Sequence, residues 1–134
     1  MTTTACHTEV AASGIGAKTE QHIRSLIAHH RLFDNKQNIY PVLETSADTC
    51  RKWERLAVAY NAHFREDFNS YQPYNLYQIW ILGHIANLRD INRPCSDAQF
   101  STLVQNNVAH FTTQHFMETF EHDIRDLSTS RKAA

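Results

Sequence analysis

Apolar side chains recur along most of this chain at spacings of three and four, the period of a helix packed on one side. The first such run starts at Thr19, a candidate N-cap, and is predicted to reach Phe33 or Asp34. It places Ile23, Leu26, Ile27, His30 and Phe33 on one face. The cluster DNKQN then ends it, and segment 39–44 (IYPVLE) reads as a connector or a single turn. A second helix is predicted over 46–68. Its stripe is Cys50, Trp53, Ala57, Tyr60, Phe64 and Phe68, with Arg51, Lys52, Arg55, Arg65 and Glu66 pointing away.

After the loop NSYQPYN, Asn75 is placed to cap a third helix over 76–91. That helix is apolar almost all round, with a thin polar strip near Gln78 and Arg89, a pattern that belongs in the middle of a bundle. Gly83 inside it is predicted to mark the close approach of a neighbouring backbone. The last helix is predicted over 97–127, opened by a Ser96/Gln99 capping box. Its apolar positions split: Phe100, Val104, Val108 and Phe111 share one face, whereas Phe116, Phe120, Ile124 and Leu127 lie opposite. Either the helix breaks near Thr112–Thr113, or its halves meet different partners, a second subunit among them.

The expected fold is therefore all-α, a bundle of four main helices at about 19–34, 46–68, 76–91 and 97–127. A flexible leader over 1–17 precedes a single helical domain over 18–128, and a flexible tail covers 129–134. Punctuation agrees: glycines are three, too few for an all-β chain with its turns, and Pro41, Pro73 and Pro94 fall between periodic stretches. At 134 residues, one domain is the natural size.

Thirteen Lys and Arg balance fourteen Asp and Glu, for a formal charge of −1. That balance exerts no general pull on nucleic acid or anionic membrane. The start lacks a signal-peptide pattern, and no apolar run approaches the roughly 18 residues of a membrane span. Cys6, Cys50 and Cys95 are odd in number and widely spaced. They argue against a disulfide scaffold and suit a reducing compartment, so the expected location is cytoplasmic.

Histidine is over-represented, with nine residues, and neutral imidazole is a common ligand for a transition metal ion. His115, Glu118 and His122 share one helical face, and His84, or His63 with Asp67, would complete a bundle-type site. Against this, E-x-x-H pairs are missing and the ligand spacings of hemerythrins are not reproduced as a set. His30 and His84 read more simply as hydrogen-bonded core residues. Arg24 and His29 form a pattern that resembles the R-x4–6-H element of the HEPN family of helical ribonucleases. That resemblance implies RNA cleavage in a dimeric cleft, with Arg24 and His29 at the site. The match covers a handful of residues and departs from the family in sitting on an early helix. Hydrolase nucleophile elbows, P-loops and dinucleotide fingerprints do not occur. Cys50 reads as a small core residue and Cys95 as a loop cysteine.

Arg51, Lys52 and Arg55 form the densest basic group and read as a solvated face. Aromatic residues gather around the proline-bearing loop from Phe64 to Trp80. Tyr71, Tyr74 and Tyr77 there, with Phe116, Phe120 and Ile124 on the last helix, are the candidate partner-binding residues. The expected function is that of a small non-catalytic adaptor or regulatory protein that binds a protein partner, as a homodimer and without a cofactor. The alternatives are a histidine-ligated metal protein and a nucleic-acid-binding or HEPN-like domain.

Overall fold

The computed structural model describes residues 14–92 and 95–126. The chain is all-α, apart from one two-residue antiparallel bridge. Four longer helices carry the bundle: α1 (Ala17–Ala28), α3 (Ala47–Tyr60), α5 (Leu76–Ile91) and α6 (Asp97–Val108). Shorter helices α2 (Lys36–Val42), α4 (Ala62–Glu66) and α7 (Thr113–Thr119) turn the corners, and 121–126 is again helical. Strands β1 (Phe33–Asp34) and β2 (Tyr74–Asn75) pair Phe33 with Asn75 and Asp34 with Tyr74. Most of the expected leader, the tail over 129–134 and Leu127 lie outside the described residues.

Helix α5 sits where its all-round apolarity placed it, packed against α1, α3, α4, α6 and α7. Asn75 and Gln78 close a reciprocal capping box at its start, and Ser96 and Gln99 do the same for α6. The α1–α5 crossing is close because of Gly83. A Cβ there would come within 2.7 Å of Thr19 Cγ2 and 3.1 Å of Ile15 Cγ2, and Thr19 is itself buried. Gly83→Ala gains about 1 kcal/mol of helix propensity but overpacks the crossing by about 1–3 kcal/mol. It is therefore expected to lower the urea midpoint slightly, and Gly83→Val to lower it much further. A Gly83→Ala protein more stable than the wild type would contradict this reading of the crossing.

Three predicted helices end earlier than their apolar stripes. Helix α1 stops at Ala28, not at Phe33 or Asp34. His30 takes a left-handed conformation (φ 58°), while His30 N–H donates to the Ile27 carbonyl and Arg31 N–H to that of Leu26. These are the two bonds of a Schellman stop, made here without glycine. It leaves His30 exposed rather than in the core. Segment 39–44 is not a connector but lies mostly in α2. That helix ends by the same device at Glu44 (φ 56°), with Thr45 N–H donating to the Tyr40 carbonyl.

The helix expected over 46–68 breaks at Asn61, whose backbone is extended. Its side chain accepts from Phe64 N–H to cap α4 and donates to the carbonyls of Val108 and Phe111. The last helix breaks after Val108, and Thr112 starts α7 with a capping box to His115. Of the alternatives at Thr112–Thr113, the break is what occurs. It turns the second apolar face back onto α5.

Candidate functional site

Among the described residues the two buried carboxylates, Asp34 and Glu54, lie at the end of the bundle that carries the β1–β2 bridge. Tyr74, drawn inward by that bridge, is buried together with Cys50 and Glu54 of α3. The Tyr74 hydroxyl donates to Glu54, and Cys50 Sγ lies 3.3 Å from the same hydroxyl. A phenol has one proton, so with it given to Glu54 the thiol is the donor in that contact. From α2, Lys36 Nζ reaches Glu54 at 3.3 Å and the Ser70 carbonyl at 2.9 Å. The ammonium also lies over the rings of Phe68 and Tyr74, at 5.0 and 5.2 Å from their centres. One lysine thus ties α2, α3 and the loop before β2 together.

This network is chemically quiet. Burial pushes the Cys50 thiol up to about 11, with the Glu54 charge adding to the effect, so it carries no thiolate for nucleophilic attack at neutral pH. Burial likewise holds the Tyr74 phenol far above its ordinary range. Each group satisfies its neighbours, and the outcome is a clamp.

Across the bridge, His22 Nε2 lies 2.7 Å from Asp34 Oδ2. Burial opposes charge on Asp34, but hydrogen bonds from Asn38, His22 and the Asn35 backbone outweigh it and hold the carboxyl below its usual range. Among the described residues no hydroxyl or thiol is hydrogen-bonded to His22, so the pair lacks the nucleophile of a triad. It fixes β1 to α1.

Around this clamped end stand three large apolar side chains in solvent: Leu32 at 63% exposure, Phe33 at 57% and Tyr71 at 96%. Leu32 and Phe33 lie beside or within β1. Tyr71 follows Ser70, whose carbonyl Lys36 holds, and the Asn69 side chain accepts from Tyr71 N–H.

Of the six residues expected to bind a partner, Tyr71 alone is exposed. Tyr74 is the buried phenol of the clamp, and Tyr77 shares its one hydroxyl proton between the Asn61 side-chain oxygen at 3.1 Å and the Phe111 carbonyl at 2.9 Å. Phe116 and Phe120 are buried, with Phe116 edge-to-face against Trp80 and Tyr77, and Ile124 is half-buried against the same core. The break after Val108 is the cause: the surplus apolar face finds its partner in α5, within the chain.

The metal-ligand set is not assembled either. His115 Nδ1 is engaged at the start of α7 by Thr112, Glu118 accepts from Gln114, and His122 lies beyond the Phe120 stop. All three are exposed. Among the described residues no three His, Cys, Asp or Glu side chains are grouped to hold a metal ion. The Arg24–His29 pair is also dispersed. Arg24 bonds Glu20 and Asp123 and lies 5.3 Å over the Phe120 ring, whereas His29 turns its Nδ1 onto the Ser25 carbonyl.

Two residues depart from their expected roles. Cys95 is disulfide-bonded while Cys50 is free, which removes the argument from unpaired thiols for a reducing compartment. His84 is buried but not hydrogen-bonded: neither ring nitrogen meets a partner at hydrogen-bond geometry. Its ring lies between Trp80 and Phe111, at 4.7 and 4.5 Å. Burial pulls its pKa down to about 4, and the nearby Gly14 carbonyl offsets this only in part.

A stability–pH relation follows. The unfolded chain takes up this proton near pH 6.5 and the folded chain near 4, so stability is full above 6.5 and falls as pH drops through that window. The loss is roughly 3 kcal/mol by pH 4. The Asp34 pKa is also lowered, but for an acid that shift adds stability, present above 3.8 and lost only as pH falls below it. Denaturant titrations at pH 7 and pH 4.5 on wild type and His84→Phe are expected to differ strongly for the first and little for the second. Equal acid sensitivity in both would refute the assignment.

No helix among the described residues is long and apolar enough to cross a membrane. No protein-family model matches the chain, and neither a curated protein nor a solved structure matches it.

Proposed function

We propose that this chain is a non-catalytic protein-binding module, a small helical adaptor or regulatory protein. Its contact surface is the bridged end carrying Leu32, Phe33 and Tyr71. The observation behind this reading is the exposure of these three side chains on segments that the β1–β2 bridge and the Lys36–Ser70 bond hold in place. Large apolar and aromatic side chains kept in water are unfavourable unless something covers them, and rings of this kind anchor interfaces. Holding them rigid before contact removes part of the ordering cost of association.

The homodimer expected from Phe116, Phe120 and Ile124 loses that motive, because these side chains pack within the chain. The partner proposed is a different polypeptide. The test is affinity capture by the wild type and by a Leu32→Ser/Phe33→Ser/Tyr71→Ser variant with an unchanged melting curve. A polypeptide retained by the first and lost by the second is the expected result. Equal retention by both, or none by either, would overturn the reading.

A further inference from the structure

The apolar end continues into a groove along the outer side of α3. Arg51, Arg55, Val58 and Ala59 recur at the helical spacing that aligns them on one face, and Phe68 closes the far side. The groove encloses about 410 Å³, the lower part of the range for bound ligands. Its lining meets the apolar surface at Ser70, the neighbour of Tyr71.

Charge decides what suits it. Glu54 is the carboxylate in the lining, and its charge is already taken by Lys36 and the Tyr74 hydroxyl. Arg51 pairs with Asp48 at 2.9 Å, but both groups are well exposed, so that pair is worth little and is easily exchanged. Arg55 is exposed and makes no ion pair among the described residues. Arg65 donates to the Val58 carbonyl at 2.8 Å, adding a further cation beside the groove. An apolar strip with cations along it and a neutralised floor is complementary to an apolar side chain flanked by carboxylates. Nucleic acid fits less well, because a phosphate backbone would leave Val58, Ala59 and Phe68 unused and the chain as a whole carries no basic excess.

We infer that this groove receives an acidic peptide segment of the partner, with one apolar or aromatic side chain against Val58, Ala59 and Phe68 and its carboxylates on Arg51 and Arg55. This rests on the protein-binding reading and names the chemistry of the partner.

The test uses fluorescence anisotropy with three labelled probes: a short synthetic peptide with a central Phe flanked by Glu, the same peptide with Lys for Glu, and a single-stranded RNA. Wild type, Arg51→Glu/Arg55→Glu and the remote control Arg125→Glu are compared, each with its melting curve. The Glu peptide is expected to bind wild type and the control alike, and the double variant at least about tenfold more weakly, a difference of some 1.4 kcal/mol. The Lys peptide and the RNA are expected not to compete. Three results would overturn the inference: no binding of the Glu peptide, binding unchanged in the double variant, or preference for RNA. If any of these appears while capture still depends on Leu32, Phe33 and Tyr71, the acidic chemistry falls and the protein-binding reading stands.

Discussion

Replacing Glu54 with alanine is expected to lower the unfolding free energy by about 3 kcal/mol, as breaking a buried ion pair does. The substitution leaves the Lys36 ammonium without its carboxylate and the buried Tyr74 hydroxyl without its acceptor. Lys36 retains the Ser70 carbonyl and some solvent contact, which keeps the loss at the lower end of the range for such pairs. The cost is mostly that of stranded partners. The combined Glu54→Leu/Lys36→Met protein should accordingly be more stable than Glu54→Ala alone. Urea unfolding at neutral pH measures both. A loss below about 1 kcal/mol for Glu54→Ala would mean that the clamp is decoration on an already rigid end.

Asn61→Ala carries an effect of similar size at the other end of α3. Asn61 is fully buried and bonds four groups at once: the Phe64 amide, the carbonyls of Val108 and Phe111, and the Tyr77 hydroxyl. Loss of the cap costs about 1 kcal/mol, and each carbonyl left dry adds about 1–3 kcal/mol unless it finds another donor. Partial compensation is available to Tyr77, which also donates to the Phe111 carbonyl. The net expectation is about 3–4 kcal/mol, or a melting point lower by about 10 °C. Asn61→Asp preserves the acceptor for Phe64 but turns a carboxylate toward two carbonyls, so it should be no better. If Asn61→Asp melts like the wild type, the two carbonyl bonds contribute little.

These two residues also explain where the sequence was readable and where it was not. Periodicity located α5 and its central position, because a helix apolar on all sides has few other places to go. The capping residues Asn75, Ser96 and Gln99 were legible because their bonds span only three residues. The break at Asn61 was not: the bonds that make extended backbone favourable there come from Val108 and Phe111, across the fold. The stops at His30 and Glu44 were hidden because side chains other than glycine occupy the left-handed position. Extending α1 past His30 put Phe33 on a core face, whereas the chain delivers it to solvent beside the bridge.

The candidate site was legible only in part. Composition put Tyr71, Tyr74 and Tyr77 alike among the partner-binding candidates, and of the three only Tyr71 is exposed. Tyr74 and Tyr77 share the loop's composition, but the bridge and Asn61 turn them inward. Lys36 read as one more polar residue of a helix-ending cluster, and nothing local marks it as the partner of Glu54. The signal that was present is Glu54 four residues after Cys50, on the edge of an otherwise apolar stripe. An acid in such a place needs a cation or a donor from elsewhere. The split apolar face of the last helix was read correctly as a split, but a chain that breaks there can cover both faces itself.

The most direct test of partner binding at the bridged end is native mass spectrometry of the untagged protein, gently purified from its own source. The expected spectrum contains the chain bound to a second, different polypeptide, and that species disappears when Leu32, Phe33 and Tyr71 are replaced by serine. A bare chain, or a chain heavier by the mass of one or two metal ions with no polypeptide attached, would contradict it.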